Sequence, residues 1–181
     1  MPNVIFATRE RKDDKGYAYR LALPDDWTIQ TAEQILAQYP DPWYKDLARA
    51  GGAVRSDGAR MWVVLDQPHD PNYLFTTYRE VARRTERTQI AAPREAAVGY
   101  AVRLVYNNNF ARDPLKDTVE YVLADYRDGR GVYVEFAFAS KPTREQIAAC
   151  DAIVATASRM WNWPEHSDWG KPVVLRQPKI S

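Results

Sequence analysis

The sequence predicts an α+β fold, an antiparallel β-sheet flanked by helices, and three observations carry that prediction. Residues 17–23 and 98–106 alternate with a period of two, the signature of strands with one buried face. Residues 119–126 and 132–138 are two further strand-like runs joined by Arg127, Asp128, Gly129, Arg130 and Gly131, whose glycines can take the positive φ angles of a hairpin loop. Residues 143–161 carry Ile147, Cys150, Val154, Ala157 and Trp161 on one helical stripe, and Thr143 with Gln146 matches a capping box.

The remaining elements follow in chain order. Residues 4–8 form a short strand. In residues 17–23, Tyr17, Tyr19, Leu21 and Leu23 share one face and Ala18, Arg20 and Ala22 the other. Pro24, Asp25 and Asp26 end that strand in a turn, and Trp27 follows as a large apolar anchor. Thr31 begins a helical stretch with Ile35, Leu36 and Tyr39 at helical spacing, and Pro40 ends it. Pro42 restarts a turn through Trp43, Leu47 and Ala50, which Gly51 and Gly52 terminate.

Residues 60–65 form a short central strand. Asp70 and Pro71 then cap a helix striped by Leu74, Tyr78, Val81 and Ala82, in competition with a strand over 73–78. Asn107, Asn108 and Asn109 supply turn chemistry after the strand at 98–106. Beyond the last helix, the run at 173–175 packs as an edge strand or wraps the body. The four strands at 17–23, 98–106, 119–126 and 132–138 are expected in one antiparallel sheet, with the 143–161 helix packed on it.

A length of 181 residues with 45% apolar and 27% charged side chains suits one self-folding domain, residues 162–181 forming its C-terminal tail. Twenty-five basic against twenty-four acidic residues give a net charge of +1, so no global field grips nucleic acid or an anionic membrane. One cysteine, Cys150, excludes an intramolecular disulfide, and the N-terminus turns charged too early for a secretory signal, so a cytoplasmic protein is expected. No apolar run approaches the ~20 residues of a membrane-spanning helix.

His69 and His166 each sit beside carboxylates, as a hydrolase's base or a metal ligand would, but two distant histidines and one cysteine make no zinc spacing. Solvated loop histidines are the expectation, with a hydrolase using either histidine and a nearby Asp as the rival. Cys150 falls on the apolar stripe, where a buried inert thiol fits better than a nucleophile. Asp25 with Asp26, and Asp66 with Asp70, read as caps and turn formers rather than acid and base pairs. Arg79, Arg83, Arg84 and Arg87 alternate with Glu80 and Glu86 and describe a salt-bridged helix face. No phosphate loop, dinucleotide fingerprint or nucleophile elbow is present, so no catalytic residue, cofactor or metal is predicted.

Six tryptophans and eleven tyrosines are more informative, because aromatics beyond the needs of a core mark contact surfaces. Trp161, Trp163 and Trp169 crowd one short segment and read as a seal over the core, with a partner or ligand surface as the alternative. Trp27, Trp43, Tyr44, Trp62, Tyr73 and Phe75 lie in turns or in elements whose faces the core does not claim, and they are the candidate partner-binding residues.

Two stretches, YRLALPDDW at 19–27 and DGRGVYVEFAFASKPTREQIAACDAIVATASRMW at 128–161, resemble the opening strand with its P-x-x-W turn and the closing hairpin and helix of the PsbP-like and DcrB-like superfamily. The similarity spans roughly residues 17–161. It implies an antiparallel sheet flanked by helices and members that mostly bind other proteins. One bacterial branch, the effector-associated chaperones of type VI secretion, is cytoplasmic and shields apolar segments of secreted effectors. The expected function is therefore a non-enzymatic protein-binding module, a chaperone or adaptor for an effector with apolar helices, with a toxin-neutralising immunity protein as the alternative. The residues leave open whether two copies pair as a homodimer.

Overall fold

Alternation in the sequence becomes two antiparallel sheets in a computed structural model of the chain. The structure describes residues 1–8, 17–38, 49–68, 89–90, 94–96, 99–107, 115–124, 130–160 and 171–175. In chain order these give β1 (Asn3–Thr8), β2 (Tyr17–Ala22), β3 (Trp27–Gln30), α1 (Ala32–Gln38), β4 (Arg49–Arg55), β5 (Arg60–Pro68), β6 (Gln89–Ile90), β7 (Arg94–Ala96), β8 (Gly99–Asn107), β9 (Asp117–Ala124), β10 (Arg130–Phe138), α2 (Arg144–Val154), β11 (Ser158–Met160) and β12 (Val173–Leu175). The small sheet has the order β11-β2-β1-β12. The large one runs β3-β4-β5-β10-β9-β8-β6, with β7 also paired to β8. Every pairing is antiparallel. The α+β class read from the sequence is the class observed.

One apolar cluster joins the sheets. Val4, Phe6, Tyr19, Leu21 and Leu23 meet Met61, Val63, Val119, Tyr121, Leu123, Val132, Val134, Phe136 and Phe138, and α2 adds Cys150, Ile153 and Val154. The period of two explains the membership: positions 132, 134, 136 and 138 of β10 face this core, and 119, 121 and 123 of β9 face it beside them. On the opposite face of the large sheet, Ile35 of α1 packs with Trp62 of β5. Helices therefore pack on both faces of the large sheet.

Both described helices begin alike. Thr143 Oγ1 accepts from the Gln146 amide at 3.2 Å while Gln146 Oε1 accepts from the Thr143 amide at 2.8 Å. Thr31 and Gln34 repeat the arrangement at 3.1 and 2.8 Å. Two amides that a helix start leaves open are satisfied reciprocally each time.

Three expectations are corrected. The strand at 17–23 does not share a sheet with the other three; it is β2 of the small sheet, paired to β1 and β11. Gly51 and Gly52 do not end a helical turn but lie inside β4, where a bulge shifts the register between Arg49 and Gly51. A Cβ on Gly51 (φ 118°) would lie 2.5 Å from Pro172 Cγ, and one on Gly52 would collide with the Met61 carbonyl oxygen. Trp27 is the apolar anchor expected after the turn, buried in the core cluster, and it also opens β3, each of whose four residues pairs with β4.

The helix predicted to reach Trp161 stops at Val154. Thr156 Oγ1 donates to the Ile153 carbonyl at 2.6 Å and accepts the Ala22 amide of β2 at 2.8 Å. The Thr156 and Ala157 amides bond at i−3 spacing, to Ile153 and Val154, so the last turn tightens and frees the chain to pair as β11 with the edge of β2. The apolar stripe itself is real, since Cys150, Val154 and Ala157 are all buried, but Ala157 reaches the core from beyond the helix. The run at 173–175 is an edge strand, as expected, paired with β1. The 71–82 helix and its strand alternative lie outside the described residues.

Candidate functional site

The aromatic residues predicted to meet a partner divide in two. Trp27 and Trp62 are each 7% exposed, so both belong to the interior and neither offers a free ring to a partner. Trp27 packs edge-on to Phe136 with centroids 5.9 Å apart, under the Arg55 guanidinium at 5.4 Å. Arg55 is in turn fixed by a two-pronged pair with Asp57 at 2.9 and 2.6 Å, which raises the arginine's pKa and lowers that of the aspartate. Trp62 lies under Ile35. Packing against residues distant in sequence covers these rings, which a one-dimensional reading of turn residues could not foresee. Trp43, Tyr44, Tyr73 and Phe75 lie outside the described residues. So do His69, His166, Asp70, Arg79, Arg83, Arg84, Arg87, Trp161, Trp163 and Trp169.

Three groups with acid, base or nucleophile chemistry, Cys150, Tyr121 and Asp151, are tied into the frame. Burial pushes the Cys150 thiol up to about 12, so it stays protonated and unreactive at neutral pH. Asp151 accepts from the Tyr121 hydroxyl at 2.5 Å and from Arg103 at 2.6 Å. Burial first, and the Asp151 carboxylate second, raise the Tyr121 phenol well above its ordinary value. Asp25 and Asp26 are exposed turn residues, the turn closed by the Trp27 amide on the Pro24 carbonyl at 3.2 Å. Among the described residues, no three His, Cys, Asp or Glu side chains are grouped to hold a metal ion. No helix among them is long and apolar enough to cross a membrane.

Two features of the described surface remain. The first is the edge of the small sheet. β12 has a strand neighbour on one side, β1, through Asn3↔Leu175, Val4↔Val174 and Ile5↔Val173. Val173 packs on Ile5, Ala7 and Ala18, whereas Val174 is 43% and Leu175 37% exposed. The second is a cleft of about 540 Å³ lined by Val105, Tyr106, Asn107, Asp117, Lys141 and Pro142. Asn107 and Asp117 are directly paired across β8 and β9, and the Asn107 amide donates to the Asp117 carboxylate at 3.2 Å. The Tyr106 hydroxyl donates to Glu120 at 2.6 Å on the neighbouring strand.

Neither feature was among the candidates drawn from the sequence. The weight given to aromatics hid Val174 and Leu175. The cleft depends on pairing residue 107 with residue 117 and bringing in the corner after β10, which no local pattern displays.

The sequence matches no family model and no curated protein. Among solved structures the chain is similar to LpqN, a protein involved in cell envelope biogenesis of Mycobacterium tuberculosis, with a TM-score of 0.51 and 14% identity over 86% of this chain and 91% of that one. At that identity the likeness is one of fold.

Proposed function

We propose that this chain is a non-enzymatic protein-binding module that takes up an extended apolar segment of a partner along β12. The carrying observation is the pair Val174 and Leu175, two large apolar side chains left in solvent on the edge strand of a sheet. An edge strand offers backbone donors and acceptors at a fixed spacing, and natural sheets usually blunt such edges with charge. Here Lys171 and Pro172 precede the strand while its own three residues are all apolar. An added partner strand would gain main-chain hydrogen bonds from the edge and specificity from the alternating side chains.

The finer reading is a cytoplasmic chaperone or adaptor for a secreted bacterial effector, which the likeness to the PsbP-like and DcrB-like superfamily supports. Cys150, Asp151 and Tyr121, bound into the interior, support a role other than catalysis. Affinity capture from the native host, followed by mass spectrometry, tests the reading. The wild type should retain a secreted protein with apolar segments, and a Val174→Lys, Leu175→Lys variant with unchanged circular dichroism should lose it. Recovery of a small metabolite and no protein would overturn the proposal. Capture of a folded toxin through its active site would move the role to that of an immunity protein.

A further inference from the structure

The cleft beside β8 and β9 has a chemistry of its own, independent of the β12 edge. We propose that it binds a small amphipathic zwitterion, with the ligand's ammonium at Asp117, its anionic group at Lys141 and its apolar part against Val105 and Pro142.

The cleft's volume of about 540 Å³ falls within the range of small-molecule sites. Its walls are built rather than incidental. The Asn107 amide holds the Asp117 carboxylate, and the reciprocal capping bonds of Thr143 and Gln146 fix the corner that carries Lys141 and Pro142.

Charge decides the ligand class. Asp117 and Lys141 line the same space, yet no ion pair joins them among the described residues. Two opposite charges that do not satisfy each other are complementary to a ligand carrying the inverse pair. A purely cationic or purely anionic ligand meets one attraction and one repulsion there. Asn107, which shares a strand face with Val105 and pairs with Asp117, adds a neutral amide beside the carboxylate, and Val105 and Pro142 add the apolar contact. A free amino acid and an ethanolamine phosphate headgroup share the charge pair, and an amino acid with an apolar side chain also supplies the apolar part.

Titration of the isotope-labelled full chain, followed by NMR, tests the site with two zwitterions, phenylalanine and O-phosphoethanolamine, and two single-charge controls, phenethylamine and hydrocinnamate. One zwitterion should shift the Asn107 side-chain amide and the Lys141 backbone amide saturably, and the controls should bind about tenfold more weakly, the loss of one charge-assisted contact. Saturation by phenylalanine identifies an amino-acid site and saturation by O-phosphoethanolamine a headgroup site. Asp117→Asn and Lys141→Gln should each weaken that zwitterion by about tenfold at unchanged melting temperature. Absence of saturable shifts with both zwitterions, or equal binding of the single-charge controls, would overturn the proposal.

Discussion

The Tyr121 hydroxyl on β9 donates to Asp151 on α2 at 2.5 Å, and this bond fastens the helix to the large sheet. It ends a line of packed groups, since Tyr121 stands edge-on to Phe136 at 6.0 Å and Phe136 edge-on to Trp27 at 5.9 Å. Arg103 of β8 reaches the same carboxylate from the next strand. Removing the hydroxyl with Tyr121→Phe should cost about 1–2 kcal/mol of unfolding free energy, and Asp151→Ala more, about 2–4 kcal/mol, because it leaves both a phenol and a guanidinium without their partner. Urea denaturation measures both. Equal costs for the two variants would contradict this account of the junction.

Tyr121 and Cys150 also predict an alkaline limit to stability. Both pKa values are raised on folding, Cys150 from 9.0 to about 12, chiefly by burial. The folded chain therefore keeps protons that the unfolded chain releases. This contribution is fully present below the unfolded values and is lost as pH rises from about 9 toward the raised folded values. The melting temperature should fall progressively above pH about 9, and Cys150→Ala should flatten the first part of that slope. The same burial predicts slow labelling of the native thiol by a thiol reagent and fast labelling in denaturant.

Gly52 tests the packing of β4 on β5. An added methyl would meet the Met61 carbonyl oxygen and lie 2.9 Å from Ile35 Cδ1, and backbone cannot yield there without breaking the ladder. Gly52→Ala should cost about 3 kcal/mol or more by thermal or chemical denaturation. Gly51→Ala should also be costly, because its φ of 118° is strained for any side chain and Pro172 occupies the space.

Thr156 is expected to set the end of α2. Thr156→Val keeps the shape but deprives the Ala22 amide of its acceptor, so a loss of about 1–3 kcal/mol is predicted. Hydrogen exchange should show the Ala22 amide among the first to lose protection. An unchanged Ala22 rate would assign the helix end to another cause.

Much of this frame was legible because its signals are local. The T-x-x-Q cap at Thr143, the hairpin between β9 and β10 and the alternation of β2 and β8 each concern neighbours in sequence or one strand face. The misread parts depend on distant partners. Gly51 looks like a stop until Pro172 is seen beside it, and the apolar stripe through Ala157 looks like a longer helix until β2 supplies the Ala22 amide to Thr156. Trp27 and Trp62 looked available because turns and short strands show no partner in one dimension, whereas Phe136 and Ile35 cover them in three. The candidate site was hidden for the same reason: the exposure of Val174 and Leu175 follows from β12 being the last strand of its sheet, a property of topology.

Photocrosslinking at the β12 edge tests the central claim most directly. A photoreactive phenylalanine analogue placed at Val174 and, as a control, at the exposed Asp25 of the Pro24–Trp27 turn is irradiated in the native host and the adducts are identified by mass. The account predicts one protein partner crosslinked from position 174 and not from position 25, through an extended apolar segment of that partner. Equal or absent crosslinking from the two positions would contradict it.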